Sequence, residues 1–321
     1  MSVEILIGDS RERLRSLAGS SVHCCVTSPP YFGLRDYGVD GQMGLEATPA
    51  AFVAGMVDLF REVRRVLRDD GTLWLNLGDS YGPNKSKLLM PARVALALQE
   101  DGWILRQDNV WFKKRPMPES VRDRTTCAHE FVFHFSKSGS YFYNSDAVRT
   151  PLAESSVGRL AQDIENQSGS DRVPGKSNGA MKAVGGDKQR GHTRRHAGFN
   201  ARWDAMSKAE QMANGANLKS VWHLAPPNFT GAHFATMPEG LAELCILAGC
   251  PAGGMVLDPF GGAGTTGLVA ERLGRNATLI ELNPEYADMA RDRLRAELCQ
   301  VASEAAETTH DAGPLFGSAA A

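Results

Sequence analysis

At the end of a short apolar run, residues 22–26, stand Thr27, Ser28, Pro29, Pro30 and Tyr31. Two prolines fix φ and remove two backbone N–H donors, so the turn offers a ligand a hydroxyl and bare carbonyl oxygens that accept hydrogen bonds. Such a turn suits a substrate NH₂ group. Tyr31 adds a flat face against which a planar base could stack. A second constellation comes far along the chain, in Asp258, Pro259, Phe260, Gly261, Gly262, Ala263, Gly264, Thr265, Thr266 and Gly267. Gly262, Gly264 and Gly267 satisfy G-x-G-x-x-G between a strand-like and a helical segment, and Glu281 follows at the distance of a ribose-binding carboxylate. Glycine there permits close backbone approach to a nucleoside ligand, and the spacing alone fits NAD as well as S-adenosylmethionine.

T-S-P-P-Y resembles the catalytic motif of DNA methyltransferases that act on exocyclic amines, and D-P-F-G-G-A-G-T-T resembles their S-adenosylmethionine loop. The catalytic turn precedes the cofactor loop, which is similar to the permuted order of the family's beta group. The resemblance covers roughly residues 1–150 and 220–298. It implies a Rossmann-like, S-adenosylmethionine-dependent methyltransferase fold with an inserted target-recognition region. Catalysis would fall to Ser28, Pro29, Pro30 and Tyr31.

By the same resemblance, Glu281 would hold the ribose hydroxyls and Asp258 would lie near the methionine part of the cofactor. Asp9, in I-G-D, matches the position that meets the adenine amine, although a helix N-cap is the plainer use of that residue. Thr236 and Pro238 resemble the start of the last cofactor-binding helix, whose N-terminus can meet a carboxylate. Thr27, Pro259, Phe260, Gly262, Gly264, Thr265, Thr266 and Asn283 complete the expected cofactor set.

An exocyclic amine is a poor nucleophile because its lone pair is delocalised into the ring. The Ser28 hydroxyl and the Pro29 carbonyl would accept its two N–H bonds and leave the lone pair aimed at the methyl group. Transfer is then a direct displacement whose rate comes from alignment and from acceptors facing the growing positive charge. Serine at this position accompanies cytosine N4 methylation in the family, where many adenine-modifying members carry a carboxylate. Cytosine N4 is therefore expected, with adenine N6 as the alternative. An NAD-dependent oxidoreductase would use the glycine loop but leaves the acceptor turn unexplained. A non-catalytic DNA-binding protein would have no need of Ser28 beside an intact cofactor loop.

Double-stranded DNA is the expected partner, with a cognate restriction endonuclease possible but not required for activity. Lys113 and Lys114, within the aromatic and basic stretch 111–116, could touch phosphates; an aromatic core strand with solvated lysines reads the same residues differently. From 182 to 208 seven basic residues face two acidic ones, and Arg194 and Arg195 are the expected DNA contacts there. No pattern fixes the recognition sequence, and monomer and homodimer are both open.

The elements that must position these groups follow from periodicity. Strands are expected at 3–7, 22–26, 72–77, 255–257 and 276–282, with one or two extended segments over 103–112 and a hairpin pairing 130–135 with 141–143 across Ser138 and Gly139. Helices are expected after Asp9, from Thr48 and Pro49 towards Gly71, and over 91–99, 238–248, 264–273 and from Pro284. Alternating strands and helices imply a mostly parallel α/β sheet covered on both faces, whose carboxyl edge binds ligands. Residues 1–150 then form the catalytic half and 221–300 the cofactor half. The polar stretch 151–220 is an insertion, and 301–321 a disordered tail.

Composition agrees with an enzyme of this kind. Of 321 residues 42% are hydrophobic, enough for a large core, and the net charge of −2 argues against a chain that is basic throughout. No apolar stretch is long enough to span a membrane and no signal-peptide pattern is visible, so a cytosolic protein is expected. The six cysteines form no C-x₂-C pair and no metal cluster is expected. Cys24 and Cys25 lie inside an apolar run, which disfavours a nucleophilic thiolate.

Overall fold

Short apolar runs alternating with amphipathic helices build, among the described residues, one eight-stranded sheet in the order β1-β8-β7-β2-β3-β5-β4-β6. The computed structural model describes residues 2–116, 118–161, 205–225 and 237–310. The strands are β1 (Val3–Ile7), β2 (Val22–Thr27), β3 (Leu67–Leu77), β4 (Ile104–Lys113), β5 (His129–Ser136), β6 (Val221–Leu224), β7 (Met255–Asp258) and β8 (Asn276–Glu281). All run in one direction except β5, which is antiparallel to both β3 and β4. The α/β sheet is thus mostly parallel, as expected.

The connecting helices are α1 (Ser10–Ser16), α2 (Pro49–Val66), α3 (Met90–Glu100), α4 (Glu154–Ala161), α5 (Lys208–Asn214), α6 (Glu239–Gly249), α7 (Thr265–Arg272) and α8 (Pro284–His310). Thr48 caps α2 by accepting from the Ala51 N–H, and Pro49 opens the helix where its missing N–H costs nothing. The apolar spacing turns Phe52, Met56, Leu59, Phe60, Val63 and Val66 inward, all essentially inaccessible to solvent. They pack with Leu73, Leu75 and Leu77 of β3 and with Val94 and Leu98 of α3 in one core. The alternate β3 residues face the other way, where the Thr72 hydroxyl meets the Gly249 carbonyl of α6. Gly249 is required there, because a Cβ would lie 2.4 Å from the Trp74 indole nitrogen.

Three expectations need correction. The hairpin across Ser138 and Gly139 does not form, because β5 is already paired on both sides, by β3 and β4, and offers 141–143 no open edge. Tyr141 instead accepts from Arg106 Nε, and the Phe142 N–H bonds to the Asp70 carbonyl. A strand not foreseen, β6, extends the sheet along β4. The last helix continues to His310, so 301–310, expected to be disordered, is helical; 311–321 lies outside the described residues.

The chain divides into two compact units, Met1–Asn144 with Lys219–Ala321, and Ser145–Leu218. The sheet belongs to the first. In the second, Thr150 and Ala216 exchange backbone hydrogen bonds, and Ser207 and Glu210 form a capping box at α5. No helix among the described residues is long and apolar enough to cross a membrane.

Candidate active site

Parallel pairing sets the carboxyl ends of β1, β8, β7, β2 and β3 along one edge: Ile7 lies beside Glu281, Asp258 beside Leu279, and Thr27 beside Leu75. Asp9, Glu281, Asp258, Ser28 and Asn76 therefore emerge together. The antiparallel β5 brings its first residues, His129 and Glu130, to the same edge, and the end of β4 adds Lys113. Of these, Asp9, Ser28, Asp258 and Glu281 line one cleft, together with Pro30, Pro259, Phe260, Gly262, Thr265, Thr266 and Asn283.

The serine–proline turn and the glycine loop are tied directly. The Thr27 hydroxyl donates to Asp258 Oδ1 at 2.7 Å, the Phe260 N–H to the same oxygen at 3.0 Å, and the Thr266 hydroxyl to Oδ2 at 2.6 Å. Burial pushes the Asp258 carboxyl up, and these three bonds oppose that shift. Gly264, in the left-handed region, turns the loop into α7, and Thr265 receives Arg293.

Glu281 accepts the Gly262 N–H on Oε2 at 2.7 Å and the Asn283 N–H on Oε1 at 2.9 Å, while burial raises its pKa above the ordinary value. Asn283 caps α8 by accepting the Glu285 N–H. Asp9 caps α1 and pairs with Arg11 at 2.6 Å, a contact that holds its carboxyl below the usual range. It lines the cleft while serving as an N-cap, the plainer of the two expected uses.

Around Ser28 lies a polar network that sequence reasoning missed. The Tyr31 hydroxyl donates to Glu130 Oε2 at 2.6 Å. Asn76 Nδ2 approaches Tyr31 Oη at 2.8 Å, Glu130 Oε2 at 3.0 Å and Ser28 Oγ at 3.3 Å. Burial, then Glu130, hold the Tyr31 phenol protonated, well above its ordinary pKa. Its ring lies so close to Gly78 that a Cβ there would fall 2.5 Å from it. The ring packs against the core and does not wall the cleft, as Ser28 and Pro30 do, so the expected free stacking face is largely spent on packing. Asn76 was detectable as the lone amide in the apolar run 73–77, and Glu130 as a carboxylate entering the strand 129–136.

Lys113 is a further correction. Its ammonium pairs with Glu130 Oε1 at 2.6 Å and sits over the Trp111 ring, so its charge is neutralised within the site. Lys114 is exposed. Pro238 caps α6 but is not part of the cleft wall, where its neighbour Met237 stands. Thr236, Arg194 and Arg195 lie outside the described residues. The Cys24 and Cys25 thiols are fully buried and pushed well up by desolvation, so neither is a nucleophile.

A family model described as DNA methylase, for N6 and N4 methyltransferases, matches residues 22–292. The chain is 36% identical to the Type II methyltransferase M.SmaI of Serratia marcescens over 91% of each chain. It is 39% identical to M.Cfr9I of Citrobacter freundii over 90% of this chain and 87% of that one. Among solved structures, the PvuII DNA methyltransferase, described as cytosine-N4-specific, superposes with a TM-score of 0.62 at 20% identity over 91% of this chain and 86% of that one. A Thermus thermophilus protein assigned as a DNA modification methylase, solved with S-adenosyl-L-methionine, gives 0.57 at 25% identity over 92% and 96%.

Proposed function

Because this chain belongs to the N6/N4 DNA methylase family, we propose that it methylates the N4 amine of a cytosine flipped out of duplex DNA, with adenine N6 as the runner-up. S-adenosylmethionine, when bound, supplies the methyl group activated on its sulfonium. The cleft suits that cofactor by its chemistry. Each Glu281 oxygen takes one backbone N–H and keeps lone-pair capacity for one of two vicinal ribose hydroxyls. The glycine turn before α7 lets backbone approach the ligand, and Asp258, consumed by three internal bonds, holds that turn against β2.

Ser28 Oγ and the Pro29 carbonyl accept the two N–H bonds of the amine, which directs its lone pair towards the methyl carbon. The N–CH₃ bond would form as the S–CH₃ bond breaks with its electron pair left on the sulfur of S-adenosylhomocysteine, the methylated nitrogen would then release one proton to solvent water, and no covalent enzyme intermediate forms. The observation that carries this reading is the 2.7 Å bond from Thr27 to Asp258, which holds the acceptor turn and the nucleoside-binding loop on one cleft. Serine at position 28 favours cytosine, by the family resemblance described above. The segment 151–220 would read the target sequence, and the Type II names of the relatives support a place in restriction and modification.

The test is to incubate the protein with duplex DNA and S-adenosylmethionine, digest to nucleosides and weigh the products. N4-methyldeoxycytidine is expected. N6-methyldeoxyadenosine would overturn the choice of base, and no methylated base would overturn the activity. Ser28→Ala should cut turnover far more than cofactor affinity; equal losses would refute the role of the hydroxyl.

A further inference from the structure

We propose that Glu130 is a positioning residue for the methyl transfer: acting through Tyr31, it fixes the Ser28 hydroxyl as an acceptor towards the cleft. The inference rests on the role of Ser28 proposed above and goes beyond it by naming what sets the direction of that hydroxyl. A serine hydroxyl can donate or accept, and only a neighbour decides which.

The decision follows from counting hydrogens. Tyr31 has one, and at 2.6 Å it points to Glu130 Oε2, since a carboxylate can only accept. Tyr31 Oη is thereby left with lone pairs alone for its other contacts. Ser28 Oγ lies 3.2 Å away, so in that contact the serine must be the donor. With its proton committed to Tyr31 and one lone pair approached by Asn76 Nδ2 at 3.3 Å, Ser28 keeps acceptor capacity for the cleft that it lines. Glu130 also fixes the neighbouring amide, because turning Asn76 over would set its oxygen against Glu130 Oε2, now 3.0 Å from Nδ2.

Lys113 takes the second oxygen of Glu130 at 2.6 Å, and the Glu130 side chain is only 12% exposed. Burying an ion pair at the end of strands is a poor source of stability, and apolar residues of similar volume would serve the fold as well. What the pair does supply is a fixed acceptor behind the one hydroxyl that needs orienting.

The experiment is a double-mutant cycle on the full chain: Glu130→Gln, Tyr31→Phe and the two together, followed by single-turnover methylation of duplex DNA at saturating S-adenosylmethionine. Each single variant should slow transfer about tenfold to a hundredfold, the worth of a hydrogen bond to a charged group. Cofactor affinity by calorimetry should stay within about twofold, and the double variant should be no slower than the slower single one. Penalties that multiply in the double variant would overturn the proposal, because Glu130 would then act otherwise than through Tyr31. A loss of cofactor affinity as large as the loss of rate would do the same. Should Glu130→Gln lose its cooperative thermal transition, Tyr31→Phe carries the test alone, and a wild-type rate there refutes the idea. An inactive wild type would instead sink the proposed methylation, whereas an active wild type with a fully active Glu130→Gln sinks only the positioning role.

Discussion

Replacing Thr27 by valine tests the tie between the two halves of the cleft. Thr27 is wholly buried at the end of β2, and valine keeps its shape while removing the hydroxyl. Asp258 then keeps the Phe260 N–H and the Thr266 hydroxyl but loses the 2.7 Å bond on Oδ1. A buried hydrogen bond to a charged group is worth about 1.5–3 kcal/mol, so the midpoint of thermal unfolding should fall by on the order of 5 °C. The sign with pH is fixed as well. Burial raises Asp258 above its ordinary 3.8 in the folded chain, so its contribution to stability is fully present below 3.8 and is lost as pH rises through the folded pKa. The Thr27 hydroxyl lowers that folded pKa, so valine lets it climb further, and the variant goes on losing stability where the wild type has stopped. Guanidinium unfolding at about pH 7.5 and about pH 4.5 should therefore show a larger gap between wild type and variant at the higher pH. A gap equal at both, or wider in acid, would refute the assignment of Asp258 as the buried carboxylate that Thr27 stabilises. Turnover should fall too, since a misplacement of about 1 Å between acceptor and donor can cost a hundredfold.

Glu281→Gln should weaken S-adenosylmethionine binding by about tenfold in calorimetry, because an amide NH₂ would face either the Gly262 or the Asn283 N–H, each of which now meets a carboxylate oxygen; unchanged affinity would remove Glu281 from the cofactor site. Lys114→Ala should reduce the salt dependence of DNA binding by about one counterion, measured by titration at several salt concentrations, while Lys113→Ala should leave that slope alone, its charge being taken by Glu130. Gly78→Ala should cost about 1–3 kcal/mol in denaturant unfolding and lower methylation, because the new Cβ would fall 2.5 Å from the Tyr31 ring. Normal stability with normal turnover would show that the ring has room to move.

The groups that were readable in the sequence are those whose geometry is made locally. The glycine loop needs left-handed backbone at Gly262 and Gly264, Asp258 and Glu281 end their own strands, and Thr48 with Pro49 opens α2. The failures in and around the sheet share a different cause, which is pairing between distant segments. Ser138 and Gly139 carry a hairpin signal, but β5 finds its partners in β3 and β4, and a local turn preference has no knowledge of edges already occupied. The same register sets Asn76 opposite Val132 and so brings an amide and a carboxylate from β3 and β5 to Ser28. Lys113 read as a phosphate contact because its sequence neighbours are basic, and its true partner lies across β4 and β5. The acceptor character inferred for the serine turn was accordingly incomplete. Prolines remove backbone donors, yet the Ser28 hydroxyl still carries a proton of its own, and what disposes of that proton is the contact from Tyr31 to Glu130 that only the strand register creates.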